Sequence, residues 1–156
     1  MNKRIITILA LSVALNAHAA GGLVSDVHDG DTITVQGFAQ KIRIAKIDTP
    51  ELKTYKWGYQ PYGSEARTNL LNLCLGKIAT LTDIKSDRYG RFDANVSCAG
   101  VDVAGWQLSN GSAWPYHYNT PKKYKAISDV ARNKGLGLWS LSNAIDPYFW
   151  RKNRMR

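Results

Sequence analysis

The 156-residue sequence predicts an α+β domain. Strand-like segments come first and helical ones later, and the hydrophobic spacing changes along the chain from alternation to a helical period. No internal repeat or low-complexity linker interrupts the chain, so a single domain with one core fits its length.

Residues 1–19 stand apart from that fold. Lys3 and Arg4, the apolar run Ile5 to Leu15 and the small-x-small sequence Ala17-His18-Ala19 form the three parts of a signal peptide. The run is too short to span a bilayer, and no later stretch reaches that length. The chain therefore reads as an exported protein, residues 20–156, with no membrane insertion after cleavage; an uncleaved anchor is the alternative.

The elements follow in order. Leu23 to Val27, Thr32 to Gln36 and Gln40 to Ile47 read as three short strands of a meander, joined by Asp29-Gly30 and a turn containing Gly37. In the third strand Ile42, Ile44 and Ile47 break the period of two, which predicts a bulge near Ala45-Lys46. Arg43, between two isoleucines, is predicted to point away from the core. Pro50 to Gly63 has loop composition with high aromatic content: Tyr55, Trp57, Tyr59 and Tyr62. These rings, with Trp114, Tyr116 and Tyr118, are either stacking platforms for unpaired bases or lids on a small core.

Ser64-Glu65-Ala66 opens a helix whose apolar face is Ala66, Leu70, Leu71 and Leu73, and Gly76 stops it. Ile78 to Ile84 and Phe92 to Cys98 bring the strand count to five. A short helix over Val103 to Ser109 and a clearer one over Lys122 to Lys134 follow, the latter placing Tyr124, Ile127, Val130 and Ala131 on one face before Gly135. The sequence ends in a short basic-aromatic tail, PYFWRKNR and beyond.

Loss of Lys3 and Arg4 with the leader takes the formal charge from +9 to +7. Such a field favours a polyanion without choosing among nucleic acid, anionic lipid and acidic polysaccharide. In an oxidising compartment Cys74 and Cys98 read as a disulfide, with two buried free thiols as the alternative. Zinc has no ligand spacing here: there is no CxxC pair, and only His28 and His117 remain after cleavage.

Asp31 follows the Asp29-Gly30 turn directly. If the hairpin folds about Phe38, Asp31 lies opposite Ala45, and Asp48 leaves the partner strand at the same end. Two carboxylates would then share one rim, a hard-oxygen environment suited to Ca²⁺ or Mg²⁺. The alternative is plain turn chemistry: Asp29 and Asp31 shape one turn, and Asp48 caps another before Pro50. The spacing of Asp26, Asp29 and Asp31 does not fit an EF-hand.

Five segments, DGDT (29–32), RIAKIDTPE (43–51), YGSEA (62–66), DRYGR (87–91) and GLGLW (135–139), resemble the staphylococcal nuclease (thermonuclease) family in order and spacing. The resemblance covers Val24 to about Trp139. It implies a five-stranded OB-type β-barrel with three packed helices. It also implies a monomeric, calcium-dependent enzyme that hydrolyses DNA and RNA with little sequence specificity and prefers single strands.

The family's metal aspartates correspond to Asp31 and Asp48, with the Thr49 carbonyl as a further Ca²⁺ ligand. Its catalytic glutamate corresponds to Glu51, and its phosphate-gripping arginines to Arg43 and Arg91. Its nucleotide-pocket tyrosines correspond to Tyr89 and one of Tyr116 or Tyr118. Taken singly, Arg43 could be a solvated strand residue, Arg91 could close the Asp87 turn, and Glu51 could be loop surface. A non-catalytic nucleic-acid-binding barrel is the rival expectation.

Overall fold

The computed structural model describes residues 20–52 and 58–154. The signal-peptide reading and the loop aromatics Tyr55 and Trp57 fall outside those residues. The chain begins with β1 (Ala20–Val27), β2 (Thr32–Val35), β3 (Ile42–Ile44) and β4 (Ile47–Asp48). Next come α1 (Gly63–Cys74), β5 (Ile78–Ser86), β6 (Phe92–Cys98) and β7 (Val101–Asp102). The order ends with α2 (Val103–Ser109), β8 (Trp114–Pro115), α3 (Lys122–Asn133), a 3₁₀ turn (Gly137–Ser140) and α4 (Pro147–Arg154).

β3, β2, β1, β5 and β6 are hydrogen-bonded in that order, and β6 runs parallel to β3 to close the sheet on itself. The expected five-stranded barrel of OB type is therefore closed. β1 serves two neighbours: Ala20 to Leu23 pair with β5, and Val24 to Val27 pair with β2 across a bulge between Val24 and Asp26. A bulge bends a strand, which lets one strand pass from one partner to the other.

Val24, Ile33, Ile42, Ile44, Leu81 and Val96 form the core of the barrel, joined by Leu70 of α1 and Leu108 of α2. Each such aliphatic side chain contributes about 1.5 to 3 kcal/mol when fully buried. Cys74 ends α1, Cys98 ends β6, and the structure joins them in a disulfide with a Cα separation of 5.3 Å. By constraining the unfolded chain, a bridge closing such a loop adds about 3 kcal/mol. No helix among the described residues is long and apolar enough to cross a membrane.

Three local readings change. The single strand predicted over 40–47 is two, broken at Ala45-Lys46, where Lys46 has φ 73°. The predicted bulge is thus a sharper kink that sends β4 to pair with β8 instead of continuing the barrel. The hairpin turns between Gly37 and Phe38, so Thr32 faces Arg43 and the Ile44 N–H donates to the Asp31 carbonyl at 2.8 Å. Asp31 accordingly lies opposite Ile44, one residue from the expected Ala45.

The third change is at the end of the chain, where part of the predicted tail is a fourth helix, α4. Its start has an ordinary cause: the Asp146 carboxylate accepts the Tyr148 N–H at 2.8 Å, and Pro147 occupies the first helical position, where a missing N–H costs nothing.

Candidate active site

The kink at Lys46 builds one wall of the site. The Tyr116 N–H donates to the Lys46 carbonyl at 2.8 Å, and β4 pairs with β8 so that Ile47 faces Pro115 and Asp48 faces Trp114. This turns Asp48 toward the mouth of the β1–β2 turn, where Asp31 sits. Both carboxylates are buried. Asp31 accepts the Thr49 N–H at 3.1 Å and the Thr32 hydroxyl at 3.0 Å, so the two loops are tied carboxylate to backbone.

Close approach fixes this junction. A Cβ on Gly30 would lie 2.8 Å from the Thr49 side chain, and one on Gly63 would lie 2.5 Å from the Glu51 carbonyl oxygen. Buried Gln107 of α2 donates to the Gly30 carbonyl at 2.6 Å and the Ala66 carbonyl at 3.0 Å, anchoring the turn to α1. Gln60, also buried, accepts the Glu51 N–H at 2.9 Å and donates to the Ile145 carbonyl at 2.7 Å.

Arg43 stands among the acids. Its guanidinium lies 3.8 Å from Asp31, 3.5 Å from Asp48 and 3.4 Å from Asp93, and it donates to the Ile47 carbonyl at 2.8 Å. Its side chain is only 11% exposed. It does turn from the apolar core as expected, but into this acid pocket and not into solvent. Tyr116 packs against it, with 5.0 Å between the guanidinium carbon and the ring centre. Burial alone would lower the Arg43 pKa, but Asp31, Asp48 and Asp93 hold it above its ordinary value.

Arg151 of α4 also reaches Asp48, and with it Glu51. It lies 2.5 Å and 3.2 Å from the two carboxylate oxygens of Asp48 and 2.6 Å from Glu51. Burial raises the pKa of both Asp48 and Glu51, and Arg151 opposes the rise in each. Burial, followed by the neighbouring Asp31, pushes Asp29 up to about 7.

Asp31 of DGDT and Arg43, Asp48 and Glu51 of RIAKIDTPE thus meet at one rim, in the barrel and helix arrangement that the motif order implied. The model of the staphylococcal nuclease homologue family matches residues 41–141. The chain belongs to the staphylococcal nuclease family. An uncharacterized endonuclease of Escherichia coli is 36% identical over 137 residues, covering 85% of this chain and 86% of that protein. A micrococcal nuclease of Shigella flexneri is 34% identical over 160 residues, covering 93% and 87%. Staphylococcal-like nuclease CAN1 of Arabidopsis thaliana is 37% identical over 115 residues, which cover 73% of this chain and 34% of that longer protein. As a member of this family the chain is a phosphodiesterase of the nuclease type.

Within this family frame the structure brings together Asp31, Asp48, Thr49, Glu51, Arg43 and Tyr116. Arg91 and Tyr89 lie on the β5–β6 loop, with partners of their own. Arg91 pairs with Asp87 at 2.8 Å and lies over the Tyr89 ring at 5.5 Å; Tyr89 is 68% exposed. Tyr118 turns toward α4 and donates to the Tyr148 hydroxyl at 3.3 Å. Of the two tyrosine candidates, Tyr116 is therefore the one in contact with the acid rim.

Sequence reasoning missed Arg151. The signal for its helix was Asp146-Pro147, a cap followed by a first-turn proline, but nothing in the sequence indicated where that helix would dock. Gln60 and Gln107 were missed as well, because a polar residue that serves buried backbone groups carries no distinctive spacing.

The donor set fits a hard divalent cation. Asp31 and Asp48 are buried carboxylates compensated by guanidinium groups, so the rim already attracts positive charge. Among the described residues no cluster of three or more His, Cys, Asp and Glu side chains is placed to chelate a metal. A cation here would rest on two carboxylates, a backbone carbonyl and oxygens of water or substrate.

Proposed function

We propose that the chain is an exported, calcium-dependent nuclease that cleaves DNA and RNA with little sequence specificity, prefers single strands and works as a monomer. The observation that carries this reading is the meeting of Asp31, Asp48, Glu51 and Arg43 at one rim of the barrel. Export is supported by the leader pattern of residues 1–19 and by the Cys74–Cys98 bridge, which suits an oxidising compartment.

Phosphodiester hydrolysis brings water to a centre shielded by negative oxygens, so the site must supply positive charge where charge accumulates. Asp31, Asp48 and the Thr49 carbonyl would hold Ca²⁺, which supplies Lewis-acid charge to the phosphate. Arg43 offers a planar fork of N–H donors to phosphate oxygens from a fixed position, and Arg91 offers a second from its loop. Glu51, held through its backbone by Gln60, takes the proton of the attacking water. Tyr89 and Tyr116 present ring faces on which any base can stack, which suits a nuclease without sequence preference.

The test is purified protein without its leader, incubated with heat-denatured DNA and with RNA, in Ca²⁺ or in excess EGTA. Degradation to small products in Ca²⁺ alone is expected. Full activity in EGTA would remove the calcium assignment, and retarded but intact nucleic acid would point to a binding protein.

A further inference from the structure

Arg151 and the proposed cation need the same atoms. Both oxygens of Asp48 lie within reach of the Arg151 fork, Oδ2 at 2.5 Å from Nη2 and Oδ1 at 3.2 Å from Nη1, and the same Nη1 holds Glu51 at 2.6 Å. A divalent ion bound to Asp48 would share the two oxygens that these N–H groups already hold, and it would repel the guanidinium at such range. With α4 docked, the Arg151 charge opposes a cation on Asp48 and Glu51 is held by the same guanidinium.

The helix that carries Arg151 is attached by contacts that can be exchanged. Tyr148 stacks on His117 with ring centres 4.1 Å apart and planes 6° apart, and it accepts the Tyr118 hydroxyl at 3.3 Å. α4 has only eight residues, a length that is not stable as a helix in water without its packing. The last six residues, RKNRMR, include four basic side chains, which would gain phosphate partners on a nucleic acid if the helix came away.

Resting on the calcium reading above, we infer that α4 is an autoinhibitory segment, with Arg151 competing against the divalent cation for Asp48 and restraining Glu51 until the cation displaces it, a release that polyanionic substrate would favour further. The apparent affinity for the cation is then the intrinsic affinity multiplied by the fraction of molecules with α4 released, so a tenfold preference for docking weakens binding about tenfold.

Calorimetric titration of Ca²⁺ into the leaderless protein and its Arg151→Gln and Tyr148→Ala variants tests this, together with hydrogen exchange of the 148–154 amides. Arg151→Gln should bind Ca²⁺ about tenfold more tightly than the wild type. Tyr148→Ala, which loosens the helix but keeps the guanidinium, should bind more tightly by a smaller factor. Saturating Ca²⁺ should speed exchange across α4 in the wild type. Unchanged or weaker Ca²⁺ binding by Arg151→Gln would overturn the inference and leave the calcium site standing, as would α4 amides that stay equally protected. If neither the wild type nor Arg151→Gln takes up Ca²⁺, and cleavage persists in EGTA, the calcium reading falls and this inference falls with it.

Discussion

The acid rim and the β5–β6 loop each carry one of the two arginines proposed to grip phosphate, and they hold them in opposite ways. Arg43 is 11% exposed and surrounded by Asp31, Asp48, Asp93, the Ile47 carbonyl and the Tyr116 ring. Arg91 is 30% exposed and is held by the single carboxylate of Asp87 four residues back, beside the exposed ring of Tyr89. A guanidinium buried among acids cannot leave without stranding their charges, whereas a half-buried pair with one carboxylate is worth less and exchanges more easily. One arginine is thus a fixed part of the electrostatic frame, and the other can leave a weak partner for a phosphate.

The largest expected effect comes from removing the fixed arginine. Arg43→Ala leaves two buried carboxylates short of a counter-charge and should cost about 3 to 5 kcal/mol in denaturant unfolding. Arg91→Ala should cost less than about 1 kcal/mol in the same experiment. Both should lose turnover on denatured DNA. Equal stability losses would erase the distinction between a structural and a movable arginine.

The same contrast explains what could be read from the sequence. DGDT and DTPE are local motifs whose turn residues, strand edges and proline fix the backbone over a few residues, so the meeting of Asp31 and Asp48 was legible once a hairpin was assumed, while Glu51 entered through the family resemblance. The register was off by one because the turn centre depends on Gly37, with φ 89°, and not on the apolar pattern. Arg151 was not legible: it lies 103 residues from Asp48, and its place depends on the His117–Tyr148 stack. Tyr116 and Tyr118 stayed undecided in the sequence for a similar reason. Only the β4–β8 pairing, which exists because Lys46 adopts a positive φ, sets one against Arg43 and leaves the other to α4.

A smaller effect should separate the roles of the acids on the fixed side. Glu51→Gln keeps size and backbone contacts but loses the base, so kcat should fall by about 10², or roughly 2.7 kcal/mol, with KM for denatured DNA nearly unchanged. Asp48→Ala should lose Ca²⁺ affinity and rate together. A Glu51→Gln variant that raised KM at constant kcat would make Glu51 a binding residue. Loss of Ca²⁺ affinity as large as that of Asp48→Ala would make it a ligand.

The smallest effect tests the movable side through Asp87. Burial on its own would raise the Asp87 pKa, but the Arg91 and Tyr89 amides and the Arg91 guanidinium hold it below its ordinary value of 3.8. A carboxylate with a lowered native pKa binds fewer protons in the folded than in the unfolded state. Its stabilisation is therefore present above 3.8 and is lost as the pH falls through the lowered native value. Asp87→Ala should cost about 1 kcal/mol near neutral pH, and the gap to the wild type should close in increasingly acid denaturation series. The freed turn should raise KM for denatured DNA by a factor of about five or less, since Tyr89 and Arg91 would have to be ordered by the substrate itself. A stability gap that stayed constant into strong acid would show that the carboxylate charge does not hold the turn. A KM loss as large as that of Arg91→Ala would mean that Arg91 needs Asp87 to meet the phosphate, and that it is no more free to move than Arg43.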